Sequence, residues 1–236
     1  MTYRRLIGFF SAFLMFAGAA LAQGTVVVND PNAPAAGARA TAAEKALIER
    51  EVLPKARKYW ADNDSCREEF GIAGDATGAF TKPKANQRLV FYQFCQTGNG
   101  FGNNGLVLFE GGRIVASYVS ESGWALELRV LPDVDRNGLD EFLLYYSGGL
   151  HQGQGGTGVD VMEFSGSAVK GLGWFQAESF GEDGGDWTLK VTAKPGKTPV
   201  FYRQKYVSAP KNKWRPSGKS AVLKLGEAVS AFEELK

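Results

Sequence analysis

Apolar positions fall into three patterns along this chain. Leu6 to Leu21 is one uncharged apolar run, preceded by Arg4 and Arg5 and closed by Ala20-Leu21-Ala22. Leu47, Ile48 and Val52 then recur at helical spacing. From about residue 88 onward, apolar residues come in short runs punctuated by Gly, Asn, Pro and Ser. The first pattern predicts a leader, the second a helix and the third a series of strands.

The leader has a positive start, a short apolar centre and small residues at the cleavage positions, the layout of a secretory signal peptide over 1–22. A membrane-spanning helix needs about 20 apolar residues, so no stable membrane insertion is expected after cleavage. The expectation is an exported protein, periplasmic or extracellular. Residues 23–40 are rich in Ala, Pro, Gly and Asn apart from Val26-Val27-Val28, and read as a flexible lead. A single β-rich domain is expected over 41–236.

That domain begins with Thr41-Ala42-Ala43-Glu44, a capping box with the hydroxyl at the N-cap and the carboxylate three residues on. Pro54 lacks an N–H, so the helix should kink or restart there. Strands are predicted over 88–94, 106–109, 114–119, 125–131, 142–146, 159–164, 169–175, 187–191, 200–207 and 221–225. Asn99 to Gly105 reads as a turn cluster. Ala228, Val229, Phe232 and Leu235 share one helical face and predict a short closing helix.

A faint repeat underlies the strands. Gly138-Leu-Asp-Glu-Phe-Leu-Leu-Tyr-Tyr aligns with Gly196-Lys-Thr-Pro-Val-Phe-Tyr-Arg-Gln, and the run from Ala85 to Gln93 fits the same frame without the glycine. The offsets of 53 and 58 residues lie just above the roughly 40–50 residues of a propeller blade. Short alternating runs also produce such likeness by chance, so the frame supports either blade-like units or an open, sandwich-like β body.

The chemistry concentrates at Asp133-Val134-Asp135-Arg136-Asn137-Gly138-Leu139-Asp140-Glu141. Oxygen-bearing side chains stand at alternate positions, and Gly138 permits a sharp turn. A hard cation such as Ca²⁺ takes six to eight oxygens from carboxylates, amides and backbone carbonyls. The expected ligands are the side chains of Asp133, Asp135, Asn137 and Glu141 and the carbonyl of Leu139, with Asp140 pointing outward. An EF-hand is excluded: Leu144 stands where its last carboxylate belongs, and the flanks read as strands. A polar acidic turn without an ion is the plainer alternative.

The stretch resembles the calcium loop of FG-GAP and VCBS repeats, the blades of integrin-α-type β-propellers. The resemblance implies a calcium-stabilised, mainly β fold of antiparallel propeller-blade-like units, often extracellular and often used for binding. It names no ligand.

Charge and cysteine usage refine this picture. Lys and Arg number 27 against 25 Asp and Glu, and loss of Arg4 and Arg5 leaves the remainder balanced, so nucleic-acid binding is not expected. Cys66 and Cys95 are the only cysteines and predict one disulfide in an oxidising compartment. From Trp187 to Lys224 there are ten Lys or Arg and no Asp or Glu. Trp187, Arg203, Tyr206 and Trp214 lie in this stretch and could form a surface for an anionic glycan or an acidic protein partner. Aromatic residues on strands also commonly face a core.

Enzymatic readings are thinner. Gly153-Gln-Gly-Gly-Thr-Gly158 matches a dinucleotide fingerprint by letter, but a strand follows it where a helix is required. His151 is the single histidine, with no nucleophile elbow and too few partners for zinc. Glu178, Glu182, Asp183 and Asp186 could supply paired carboxylates for glycoside hydrolysis. The leading expectation is an exported, calcium-stabilised binding or structural module; a glycan-active enzyme is the alternative.

Overall fold

A computed structural model describes residues 24–37, 39–60, 70–181, 185–210 and 213–236. The expected signal peptide lies outside the described residues. No described helix is long and apolar enough to cross a membrane.

The helical segment begins where the sequence places it. Thr41 Oγ1 accepts the Glu44 N–H at 3.2 Å, and Glu44 Oε2 accepts the Thr41 N–H at 2.6 Å. Helix α1 (Ala42–Leu47) passes through a π-helical turn (Ile48–Val52) into α2 (Leu53–Tyr59). Pro54 sits in the first turn of α2, where a missing N–H leaves nothing unpaired. The wide turn thus absorbs the proline without ending the helix.

Strands then follow in antiparallel meanders. The first contains β2 (Gly71–Gly78), β3 (Gln87–Gly98), β4 (Phe101–Glu110) and β5 (Arg113–Ser122). The second contains β6 (Trp124–Leu131), β7 (Glu141–His151), β8 (Gln154–Ser165) and β9 (Ala168–Phe180). It continues through β10 (Trp187–Lys194), β11 (Val200–Ala209) and β12 (Lys213–Leu223). Strand β1 (Val26–Asn29) pairs with β10, and β13 (Glu233–Glu234) pairs with β5. The result is one eight-stranded and one five-stranded sheet.

Alternating side chains explain why β3 is apolar without interruption. Val90, Tyr92 and Phe94 face Ile48, Val52, Leu53 and Ala56 of the helical segment. Leu89 and Phe91 face the other way, toward Leu128, Phe142, Leu144, Met162 and Phe164 of the larger sheet. The far side of that sheet carries its own core of Leu143, Tyr145, Val161, Phe175, Leu189 and Val191. Strands buried on both faces read as continuous apolar runs. At the β2–β6 junction a Cβ on Gly74 would lie 2.3 Å from the Leu128 backbone nitrogen, so only glycine permits this approach.

The three aromatic runs of the repeat frame fall on β3, β7 and β11, the first in the smaller sheet and the other two in the continuous β6–β12 path of the larger. The fold is mainly β and antiparallel, as expected.

The closing helix is not formed. No residue from 228 to 235 is helical, and only Glu233–Glu234 forms a strand. Gly226 exchanges backbone hydrogen bonds with Trp174 at 2.8 and 3.0 Å. The buried Asp160 carboxylate accepts the Val229 and Ser230 N–H groups at 2.9 and 2.8 Å. These tertiary partners outcompete the local helical pattern. Ala228 and Phe232 still pack on the inter-sheet core, while Val229 faces out.

Three further boundaries differ from expectation. The lead is not uniformly loose, because Val28 of β1 enters the larger sheet's core. The turn cluster at 99–105 shrinks to its first two residues, since Phe101 already begins β4. Strand β2 was hidden by its glycines and its single charged residue, Asp75.

Candidate metal centre

The acidic loop joins β6 to β7, two neighbouring strands of the larger sheet. Its ends are set by their pairing, which closes with Leu131 opposite Glu141. Between them Val134 turns inward and is fully buried in the core. Its carbonyl accepts the Gly196 N–H at 2.8 Å, and Arg136 Nη2 donates to the Pro195 carbonyl at 3.2 Å. The loop is therefore fastened to the β10–β11 connection. Arg136 and Gly138 adopt φ of +64° and +91°, left-handed conformations that let the chain reverse.

Within this turn Asp133, Asp135 and Glu141 each bring a carboxylate oxygen within 4.8 Å of the others. Asp133 accepts the Asn137 and Gly138 N–H groups, each at 3.0 Å. Asp135 also accepts the Asn137 N–H at 3.0 Å. Glu141 accepts the Val134 N–H at 2.9 Å and the Asp135 N–H at 3.3 Å. These bonds hold the carboxylates inside the turn. The three could hold a metal ion.

Asp140 is not among the three converging carboxylates but, contrary to expectation, does not point outward. It accepts the Ala79 N–H at 2.8 Å and the Asp133 N–H at 3.3 Å, tying the loop to the β2–β3 connection. Asn137 is placed less simply. Its Oδ1 accepts the Leu139 N–H at 2.7 Å, while its Nδ2 donates to Asp135 Oδ2 at 3.0 Å. For Asn137 to act as a ligand, its amide must rotate.

The electrostatics favour a cation. Several buried or half-buried carboxylates elsewhere are paired with a cation, Glu127 with Arg129 at 2.8 Å, Asp75 with Arg88 at 2.9 Å and Glu163 with Lys170 at 3.4 Å, while the lone buried Asp160 is held by backbone N–H groups. Asp133, Asp135 and Glu141 have no Lys or Arg partner among the described residues. Glu141 is only 1 % exposed. Burial, with a smaller contribution from nearby Asp135, pushes its carboxyl up to about 8 despite the backbone hydrogen bonds that oppose this. Converging carboxylates without a counter-charge suit a hard, oxygen-seeking ion.

A pH dependence follows from the raised Glu141 carboxyl. The metal-free fold prefers Glu141 protonated, so this residue favours folding below its ordinary value of 4.5, and that benefit is lost as pH rises through about 8. Asp160 and Glu178 are raised by burial too and act in the same direction. In chelator, the wild-type melting temperature should therefore fall between pH 5 and 8 more steeply than that of Glu141→Gln. Parallel melting curves for the two proteins would contradict the assignment.

Glu163 was missed by sequence reasoning. It stands on β8 beside the loop, and its Oε2 accepts the Asn137 Nδ2 at 3.4 Å. No local motif marks it; the pairing of Phe142 with Met162 brings it there.

The other expected residues are scattered. Trp187 and Arg203 share one face of β10–β11, since Trp187 pairs with Val207 and Arg203 with Val191. Tyr206 pairs with Thr188, and Trp214 with Ser208, on the opposite face. The four do not form one surface. Cys95 is buried on β3, and Cys66 lies outside the described residues. His151 is exposed at the end of β7. The glycine run at 153–158 lies mostly in β8, which confirms that it opens no helix. Glu178 lines a cleft of about 240 Å³ with Glu127, Arg129, Tyr145 and Trp214. Glu182 and Asp183 lie outside the described residues. Comparison with family models, curated proteins and solved structures finds no match.

Proposed function

We propose that the chain is an exported binding or structural module whose β6–β7 loop is clamped by Ca²⁺. The convergence of Asp133, Asp135 and Glu141 within 4.8 Å, with no Lys or Arg partner among the described residues, carries this reading. Asp133, Asp135 and Glu141 would hold the ion, with Asn137 and the Leu139 carbonyl completing the oxygen shell. The bound ion would supply positive charge at the start of β7 and fix the loop against the β10–β11 connection. Such a loop suits the FG-GAP and VCBS type of repeat, and the successive meanders suit its blades. A disulfide between Cys66 and Cys95 and removal of residues 1–22 belong to the same proposal.

Metal analysis of the purified protein tests this reading. We expect about one calcium per chain after dialysis against trace Ca²⁺ and Mg²⁺, because Mg²⁺ demands a tighter octahedron and keeps its waters. Binding of Mg²⁺ in preference, or of neither ion, would count against it.

A second reading keeps glycan hydrolysis in view. Burial raises the Glu178 carboxyl, as a general acid requires, and Glu127 lines the same cleft. Glu127, however, is engaged by Arg129 and by the Ala36 N–H. Turnover of a glycan substrate lost in Glu178→Gln would favour the enzyme.

A further inference from the structure

The outer part of the larger sheet carries a second, oppositely charged feature. A cleft of about 320 Å³ opens over β10, β11 and β12, lined by Trp187, Leu189, Arg203, Lys205, Lys219 and Ala221. Three of these six residues are cationic and none is acidic. Trp187 and Leu189 come from β10, while Arg203 and Lys205 come from alternate positions of β11, and the β10–β11 register places all four on one face.

Lys219 reaches the cleft through an irregularity. Arg203 pairs with Ala221 and Lys205 with Ser217, so Gly218 to Ser220 bulge out opposite Gln204 alone. Gly218 takes φ +78°, which glycine adopts without strain. Bulges of this kind re-aim a side chain that a regular strand would direct elsewhere. Here the bulge adds a third cation to the pair on β11.

Arg203, Lys205 and Lys219 have no acidic partner among the described residues. Lysines 170 and 190, by contrast, each reach a carboxylate. The Lys205 ammonium lies 5.2 Å from the Trp187 ring centroid, a cation–π contact that holds the charge beside the apolar floor. Like charges gathered on one cleft repel unless an anion lies between them.

We infer that this cleft binds a small ring-bearing oxyanion, its carboxylate, sulfate or phosphate held by Arg203, Lys205 and Lys219 and its ring set against Trp187 and Leu189. The guanidinium suits bidentate contact with such a group, and the ammoniums add point charges. The volume is at the lower end of ligand clefts, which run from about 300 to 1,000 Å³, so one or two sugar-sized rings fit. An acidic saccharide unit and a nucleoside monophosphate share this chemistry. The inference deepens the binding-module reading and rests on it, but it does not involve the acidic loop.

Calorimetric titration of the purified protein at low salt, with Ca²⁺ present, tests it. The probes are glucuronic acid, glucose 6-phosphate and adenosine monophosphate, with glucose as the neutral control. We expect saturable binding of at least one acid with a dissociation constant near ~1 mM, weakened by added salt, and none of glucose. Which acid binds tightest identifies the source. Arg203→Ala with Lys205→Ala should weaken that binding about tenfold or more, since charge-assisted hydrogen bonds are lost. Both residues are exposed, so the variant should melt with the wild type. No acid bound, glucose bound equally, or a variant that binds as before would overturn the inference. Calcium content measured on the same preparation keeps its failure separate from failure of the loop proposal.

Discussion

Chelation of the Ca²⁺-loaded protein should lower its melting temperature by about 5–10 °C. A ligand at a hundred times its dissociation constant stabilises by about 2.7 kcal/mol, and each kcal/mol shifts a domain of this size by about 2–4 °C. The loop joins two neighbouring strands of the larger sheet, so an ion there stabilises the sheet as a whole. Asp135→Ala should abolish the difference between Ca²⁺ and chelator, because Asp135 is one of the three converging carboxylates. Asp140→Ala should behave otherwise. It removes the tie to Ala79, so it should lower both melting temperatures and preserve the gap between them. A gap that persists in Asp135→Ala and vanishes in Asp140→Ala would place the ion elsewhere.

Phe142→Ala should destabilise the protein by about 3–5 kcal/mol, the usual range for emptying a buried aromatic site. Phe142 is fully buried and follows Glu141 directly. Its ring meets Phe80 edge-on at 6.0 Å and Phe164 at 5.5 Å between centroids. It sits in the core shared by the two sheets, so the cavity would loosen their contact. Denaturant unfolding with and without Ca²⁺ checks this. A loss below about 1 kcal/mol would mean the site collapses freely, contrary to the dense aromatic packing around it.

The parts legible in the sequence are those whose signals are local. The Thr41 capping box, the accommodation of Pro54 and the central segments of β3 to β11 follow from periodicity and backbone chemistry. The acidic loop was legible because its converging carboxylates lie within nine residues and a glycine permits the turn. What escaped depended on distant partners. Residues 228–235 have helical spacing, yet Asp160 and β5 claim their backbone N–H and C=O groups. Strand β2 consists largely of glycine and alanine, residues that carry little strand preference, and exists because β3 pairs with it. Glu163 approaches the acidic loop only through strand register. Tyr206 and Trp214 are close in sequence to Trp187 and Arg203, but the alternation of strand side chains puts them on the other face.

The loop and the cleft on β10–β12 bear opposite charge and sit on the same sheet. The first gathers one buried and two half-buried carboxylates; the second is a solvent-facing set of cations. Under the proposed function, the ion would hold the frame while the other surface meets the ligand.

A crystal structure grown in millimolar CaCl₂ addresses the main claim at atomic level. It should show one ion with oxygens of Asp133, Asp135 and Glu141 at about 2.3–2.6 Å, and Asn137 rotated to present its carbonyl oxygen. Density for water alone between those carboxylates, in crystals whose medium held ample Ca²⁺, would contradict the account.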